Sequence, residues 1–241
     1  DGHRFIAQAD EQGAAGVVCE ALPPHPRKGK NYILVDDTRK ATAQMAAAFY
    51  GFPARKLDLI GITGTNGKTT VATLLYHLVR AEGHRAGLLS TVGYYVDEAF
   101  VPARLTTPDP ITIHHMLAQM VKAGCSFAFM EVSSHAAKQK RIDGLDFAGG
   151  VFTNITHDHL DYHPDFKDYL YSKKRFFDLL APGSFALANA DDKNGSVMLQ
   201  NTQARKLRFG RKNLADYGVR ILERHKGGML LDLDRQEVFV R

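Results

Sequence analysis

The residues whose order suggests chemistry start at Gly64. From there the chain reads Gly64, Thr65, Asn66, Gly67, Lys68, Thr69 and Thr70. The apolar run Leu57-Asp-Leu-Ile-Gly-Ile-Thr63 comes before, and the helical pattern Val71-Ala-Thr-Leu-Leu-Tyr-His-Leu-Val79 comes after. Strand, glycine loop and helix is the setting in which a Gly-Lys-Thr triplet binds phosphate. Backbone N–H groups of the loop and of the helix N-terminus converge on one spot, where the helix dipole adds partial positive charge. Lys68 supplies a full charge for terminal phosphates, and the Thr69 hydroxyl can reach a magnesium ion. The usual pattern puts a glycine five positions before Gly67, where this chain has Ile62. With glycines at 61, 64 and 67, the loop is a variant. An incidental lysine at a strand-helix corner is the plain alternative, and the agreement of triplet and context outweighs it.

Three other places carry polar chemistry. Glu131 ends the apolar run Phe127-Ala-Phe-Met-Glu-Val132. A carboxylate there needs a partner, because burying a lone charge is expensive. That partner is either a salt-bridging cation or a magnesium ion beside the phosphate loop. The stretch Asn154-Ile-Thr-His-Asp-His-Leu-Asp-Tyr-His163 puts three histidines and two aspartates in one loop. His157, His159 and His163 do not follow a zinc-finger or zincin spacing. The position of this loop after a strand favours metal and substrate binding over simple solvation. Lys173, on the next helix, reads by itself as a surface lysine.

The elements that must position these groups alternate between strand and helix. Strands are expected at residues 16–20, 32–35, 57–63, 85–92, 127–132, 147–153 and 184–188, with a hairpin over 94–101. Helices are expected at 5–13, from Asp37 or Thr38 to Tyr50, from 68 onward, at 111–123 and at 165–180. Short strands, 217–222 and 229–233 among them, dominate after Leu207. This alternation predicts an α/β fold with a mostly parallel sheet and right-handed crossovers. Ligands then bind off the carboxyl ends of the strands, where the 63–70, 131–135 and 154–159 segments all fall. Residues 1–52 read as part of a small α/β domain, joined by the breaker Gly51-Phe-Pro-Ala54 to a second unit over 53–241.

Composition narrows the class. The 241 residues are 44% hydrophobic and 24% charged, ordinary for a soluble globular protein. No apolar run approaches the ~18 residues of a membrane span. The net charge is a modest +5. No basic stripe with stacking aromatics argues for nucleic acid, whereas an anionic small substrate suits the balance. The basic clusters 138–141 and 173–175 read as solvated helix faces. Cys19 and Cys125 sit in apolar surroundings and read as buried thiols of a reducing compartment, so a cytoplasmic location is expected. The chain begins at Asp1, so a preceding segment is expected.

Taken together, Gly64-Thr-Asn-Gly-Lys-Thr-Thr70, Glu131-Val-Ser-Ser-His135, Asp158-His-Leu-Asp-Tyr-His163 and Tyr169-Leu-Tyr-Ser-Lys173 resemble the Mur ligase family. These are ATP-dependent, ADP-forming amide ligases of peptidoglycan synthesis. Ser90-Thr-Val-Gly-Tyr94 with Leu105-Thr-Thr-Pro-Asp109 looks like the members that add the third residue of the stem peptide, meso-diaminopimelate or L-lysine. The resemblance implies ATP and Mg2+ at residues 64–70, with Asn154 near the nucleotide. It makes Lys68, Lys173 and His159 catalytic and Thr69, Glu131, His159 and Lys173 metal-binding, with Lys173 carbamylated. Thr106, Thr107, Ser133 and Arg141 would hold a UDP-N-acetylmuramoyl-dipeptide. It further implies that 1–52 is part of a UDP-substrate domain, that 53–241 is an incomplete ATP-binding domain, and that a C-terminal domain is absent. The implied route is an acyl phosphate attacked by the amine of a diamino acid. The rivals are another Mur-type or folylpolyglutamate synthase-like ligase, and a nucleotide-binding module without catalysis.

Overall fold

The computed structural model describes residues 2–156, 162–212, 214–233 and 236–240. Its amino-terminal segment comprises a 3-10 turn Gly2–Phe5, α1 (Ile6–Glu11), β1 (Gly16–Cys19), β2 (Asn31–Leu34) and α2 (Thr38–Phe49). β1 and β2 form a separate two-stranded parallel sheet. The Asp37 side chain caps α2 by accepting from Lys40 N at 2.8 Å. Phe52, in the left-handed region, and the 3-10 turn Pro53–Lys56 lead into the main sheet.

The main sheet is built from β3 (Asp58–Thr63), β4 (Ala86–Ser90), β5 (Gly93–Val96), β6 (Ala99–Val101), β7 (Phe127–Glu131), β8 (Gly149–Phe152), β9 (Phe185–Asn189), β10 (Arg205–Gly210), β11 (Tyr217–His225), β12 (Gly228–Leu233) and β13 (Gln236–Val240). Among the described residues the strand order is β13-β12-β11-β10-β9-β8-β3-β7-β4-β5-β6. The central strands from β11 to β4 run parallel, and hairpins add antiparallel strands at both edges. The expected mostly parallel sheet is therefore present, as is the hairpin at 94–101.

The helices are α3 (Lys68–Ala81), α4 (Pro110–Lys122), α5 (Ser134–Lys138), α6 (Phe166–Asp178) and α7 (Gly195–Met198). Residues alternate between the two faces of the sheet, which makes two cores. Ile62, Leu88, Phe129 and Val151 pack on one face with Ala72 and Tyr76 of α3. Leu59, Leu89, Met130 and Phe152 pack on the other with α4 and α6. Strand β3 lies between β7 and β8, although the chain visits β4 before either. The crevice at the carboxyl end of β3 is thus a topological switch point, the usual ligand address of an open α/β sheet.

Two expectations need correction. Lys173 and Lys174, read as a solvated face, are each only 1% exposed. Lys174 pairs with Asp178 one turn on, and Arg175 pairs with the buried Asp143. The 138–141 cluster is likewise tied down: Lys138 pairs with Asp168, Lys140 with Asp37, and Arg141 donates to the Thr107 carbonyl. In contrast, Cys19 and Cys125 are buried free thiols, as their surroundings indicated.

Candidate active site

The glycine loop leaves β3 at Thr63 and enters α3 at Lys68, with Gly67 at the N-cap in the left-handed region (φ 85°). Gly64 has φ 153°, and a Cβ there would collide with Thr153 Oγ1 and lie 3.0 Å from the Asn154 carbonyl oxygen. A side chain is excluded because the segment after β8 runs against the loop. Thr65 N donates to the Asn154 carbonyl at 2.8 Å, and Thr153 Oγ1 donates to the Asn66 carbonyl at 2.7 Å. The Asn154 side chain accepts from Asn66 N and donates back to its carbonyl, both at 3.0 Å. Asn154 therefore braces the loop.

Gly61 and Ile62 belong to β3, not to the loop. Ile62 is buried in the α3-side core, paired with Glu131 of β7. Gly61 is small for a packing reason: a Cβ would sit 2.5 Å from the Phe176 ring. The same ring leaves 2.8 Å at Gly150 of β8. These two glycines let α6 lie close on the sheet. One turn before Phe176 stands Lys173, whose ammonium donates to the Gly64 carbonyl at 2.8 Å and lies 4.5 Å from the centre of the Tyr169 ring. Tyr169 OH meets Thr65 Oγ1 at 3.0 Å. Lys68 folds over the same loop, donating to the carbonyls of Gly64 (2.9 Å) and Thr65 (3.0 Å). The structure thus brings Lys68 and Lys173 onto one carbonyl. Thr69 is half-buried and Thr70 exposed on the first turn of α3.

Glu131 is fully buried. Its Oε1 accepts from Thr91 N at 2.8 Å, while Oε2 has no hydrogen-bond partner. Among the described residues no cation pairs with it, so the salt-bridge alternative is not met. A buried carboxylate oxygen without a donor is what a cation site beside a phosphate loop requires. Among the described residues no three His, Cys, Asp or Glu side chains form a metal cluster. His157, Asp158, His159 and Asp161 lie outside the described residues. His163 is described and is not a site ligand: it is fully buried, bridging Asp168 through Nδ1 and Ser134 Oγ through Nε2 at 3.0 Å. Lys138 first, and then His163, hold the Asp168 carboxyl below its usual range.

On the other side of Glu131, Thr106, Thr107, Ser133 and Arg141 form one connected row. Thr91 Oγ1 donates to Thr106 Oγ1 at 3.0 Å, and Thr107 Oγ1 donates to the Glu131 carbonyl at 2.7 Å. Ser133 N donates to Thr107 Oγ1 at 3.1 Å, and Arg141 Nη1 donates to the Thr107 carbonyl at 2.8 Å. Ser133 also caps α5, accepting from Ala136 N at 3.1 Å. A cationic loop, a buried carboxylate and a polar row thus share the carboxyl edge of β3, β4 and β7.

A model of the Mur ligase middle domain matches residues 62–240. The chain belongs to the Mur ligase family. Two relatives are named UDP-N-acetylmuramoyl-L-alanyl-D-glutamate–2,6-diaminopimelate ligase. That of Parabacteroides distasonis is 53% identical over 240 residues, covering 100% of this chain and 49% of that protein. That of Bacteroides fragilis is 51% identical over 241 residues, covering 100% and 50%. A solved structure of a ligase with this name superposes with a TM-score of 0.82 at 26% identity, covering 99% of this chain and 49% of its own. The chain spans about half the length of the curated relatives it matches.

Several residues that shape this Mur ligase site are not evident from sequence. Thr91 lies in the 90–94 motif, but its part in the site is played by its backbone N–H, which the residue type does not reveal. Asn189 and Asp192 fix the segment after β8, with Asn189 donating to the Thr153 carbonyl at 2.8 Å and Asp192 accepting from Ile155 N at 2.7 Å. Gln139 forks onto Arg141, its Oε1 accepting from Nε (2.9 Å) and Nη2 (2.6 Å). Its place two residues before Arg141 is the available hint.

Proposed function

We propose that this chain is the nucleotide- and dipeptide-handling part of an ATP-dependent ligase. The ligase joins meso-diaminopimelate to UDP-N-acetylmuramoyl-L-alanyl-D-glutamate in peptidoglycan synthesis, in the cytoplasm. The observation that carries the reading is the convergence of Lys68 and Lys173 on the Gly64 carbonyl, close to where Glu131 ends the neighbouring strand β7. The names of the relatives support diaminopimelate over lysine as the added residue.

In this reading the loop N–H groups of residues 64–70 and the positive end of α3 hold the ATP phosphates. Lys68 leaves its carbonyl partners and swings onto the terminal phosphates. Thr106, Thr107, Ser133 and Arg141 hold the dipeptide so that its D-glutamyl side-chain carboxylate faces the γ-phosphorus in line with the leaving oxygen. A carboxylate oxygen bonds to that phosphorus, the bond to the β-phosphate oxygen breaks, and ADP leaves. The neutral amine of the diamino acid then attacks the acyl carbon, inorganic phosphate departs, and the nitrogen gives up a proton to solvent. The protein contributes orientation and charge neutralisation. Thr69, Glu131 and His159 would hold magnesium, which supplies neutralisation of phosphate charge when bound; Oε2 of Glu131 fits this need. Lys173 joins that set only as a carbamate, because an ammonium repels a cation. Carbamylation turns it into an anion on a side chain already held against the loop.

The test is Lys68→Ala in the full-length protein, with ADP release followed on UDP-N-acetylmuramoyl-L-alanyl-D-glutamate and, in parallel, on a folate substrate. Loss of ADP release on the first and no turnover of the second are expected. Near-normal turnover of the variant sinks the phosphate-loop assignment. Turnover of folate points to the folylpolyglutamate-type rival, and nucleotide binding with no ADP formed by the wild type points to a non-catalytic module.

A further inference from the structure

Arg141 is launched from an unusual helix end. Helix α5 closes with Lys140 N donating to the Ala137 carbonyl at 3.2 Å and Arg141 N donating to the Ala136 carbonyl at 2.9 Å. This crossed pair is a Schellman motif, whose penultimate position takes the left-handed conformation and is usually glycine. Here that position is Lys140, at φ 59°. Among the described non-glycine residues only Phe52 and Asp97 share a positive φ. A β-carbon at such a position is strained, so the side chain should make a contact that compensates. It does: the Lys140 ammonium is ion-paired with Asp37, the residue that caps α2 in the amino-terminal segment. The partners are 103 residues apart in sequence. The Asp37 carboxyl is held below its usual range by Lys140 first and by the α2 backbone second.

The flanking residues face the polar row. Arg141 uses Nε and Nη2 on Gln139 and Nη1 on the Thr107 carbonyl. A guanidinium has five N–H donors, so its remaining ones can meet an anionic group of a substrate. Arg39 and Thr42 of α2 line a small groove with Pro110, Gln139 and Arg141, so α2 and this turn share one wall.

We propose that Lys140 is a positioning residue. Its ion pair with Asp37 latches the amino-terminal segment to the turn that aims Arg141 at the anionic dipeptide substrate. The inference rests on the substrate reading given above. The latch fixes the distance between whatever part of the substrate lies along α2 and the end held by the threonine row. It acts on substrate affinity and leaves the nucleotide loop alone.

Three variants of the full-length protein test it, with KM for UDP-N-acetylmuramoyl-L-alanyl-D-glutamate, kcat, ATP affinity and melting temperature measured for each. Lys140→Gly keeps the left-handed turn and relieves its strain, so the melting temperature holds or rises. KM is expected to rise about threefold to fivefold, the range of a partly exposed ion pair, with ATP affinity unchanged. Asp37→Asn keeps the α2 cap but removes the charge, and should raise KM by the same factor. The double variant should be no worse than either single one. Wild-type KM in both single variants, or an equal loss of ATP affinity, overturns the latch. Arg141→Ala separates the two readings. If it raises KM while the latch variants do not, only the latch falls; if it leaves KM unchanged, the substrate site itself is misassigned.

Discussion

The three glycines around the phosphate loop differ in what they do, and alanine at each should separate the effects. At Gly64 the φ of 153° is closed to L side chains, and a Cβ would displace Thr153 Oγ1, which ties the loop through the Asn66 carbonyl. The backbone strain is worth about 1–3 kcal/mol, and the lost hydrogen bond about 1 kcal/mol. Together they amount to about 2–4 kcal/mol against the phosphate-ready loop. If the loop escapes to another conformation, ATP binding must restore it, so affinity should fall about 30- to 1000-fold. Gly67 has φ 85° but open space around the added carbon. Its alanine variant bears only the strain, about 1 kcal/mol, or about fivefold in affinity. Gly61 has an ordinary φ and a Phe176 ring 2.5 Å away. Its alanine variant should lose about 1–3 kcal/mol of folding stability by overpacking, with a smaller effect on nucleotide. Calorimetric ATP titration and thermal melts read both axes. Equal ATP affinity for the Gly64 and Gly67 variants would refute the argument, because it would mean that the wall formed by Thr153 and Asn154 does not constrain the loop.

Lys173→Ala should abolish turnover in the full-length protein and be partly restored by short carboxylic acids, which replace the missing anion; full activity without rescue removes the carbamate role. Glu131→Gln should lose turnover yet melt at a higher temperature in the absence of magnesium, because it removes a buried charge whose Oε2 has no donor. The gain is on the order of 1–3 kcal/mol, and a lower melting temperature contradicts it. His114 is fully buried on α4 with neither ring nitrogen hydrogen-bonded, and burial lowers its pKa from 6.5 to about 4. The unfolded chain therefore takes up the proton first, and stability present above about pH 6.5 is lost as pH falls toward about 4, at up to ~1.4 kcal/mol per pH unit. Denaturant titrations from about pH 7 to about pH 5 should show this slope in the wild type and a shallower one in His114→Leu; parallel slopes refute it.

What sequence made legible was local. The strand, loop and helix around residues 64–70 could be read because they follow one another along the chain without interruption. The parallel sheet was legible for the same reason, as alternation along the chain. Gly61 was misleading, since the reason for it is Phe176, brought over the sheet by a helix far along the chain. Lys173 and Lys174 look like surface residues because lysine usually is. Their burial is set by how closely α6 can approach, and Gly61 and Gly150 decide that approach. His163 appeared to belong with the loop histidines, yet Ser134 and Asp168 hold it inside. The strand glycines Gly61 and Gly150 and the buried lysine are therefore one design. Without a hydrogen at Gly61 the Phe176 ring would be pushed outward, α6 would rise from the sheet, and the Lys173 ammonium would leave the Gly64 carbonyl it meets at 2.8 Å. A glycine that binds no phosphate thus sets the position of the side chain on which the carboxylate chemistry is proposed to depend.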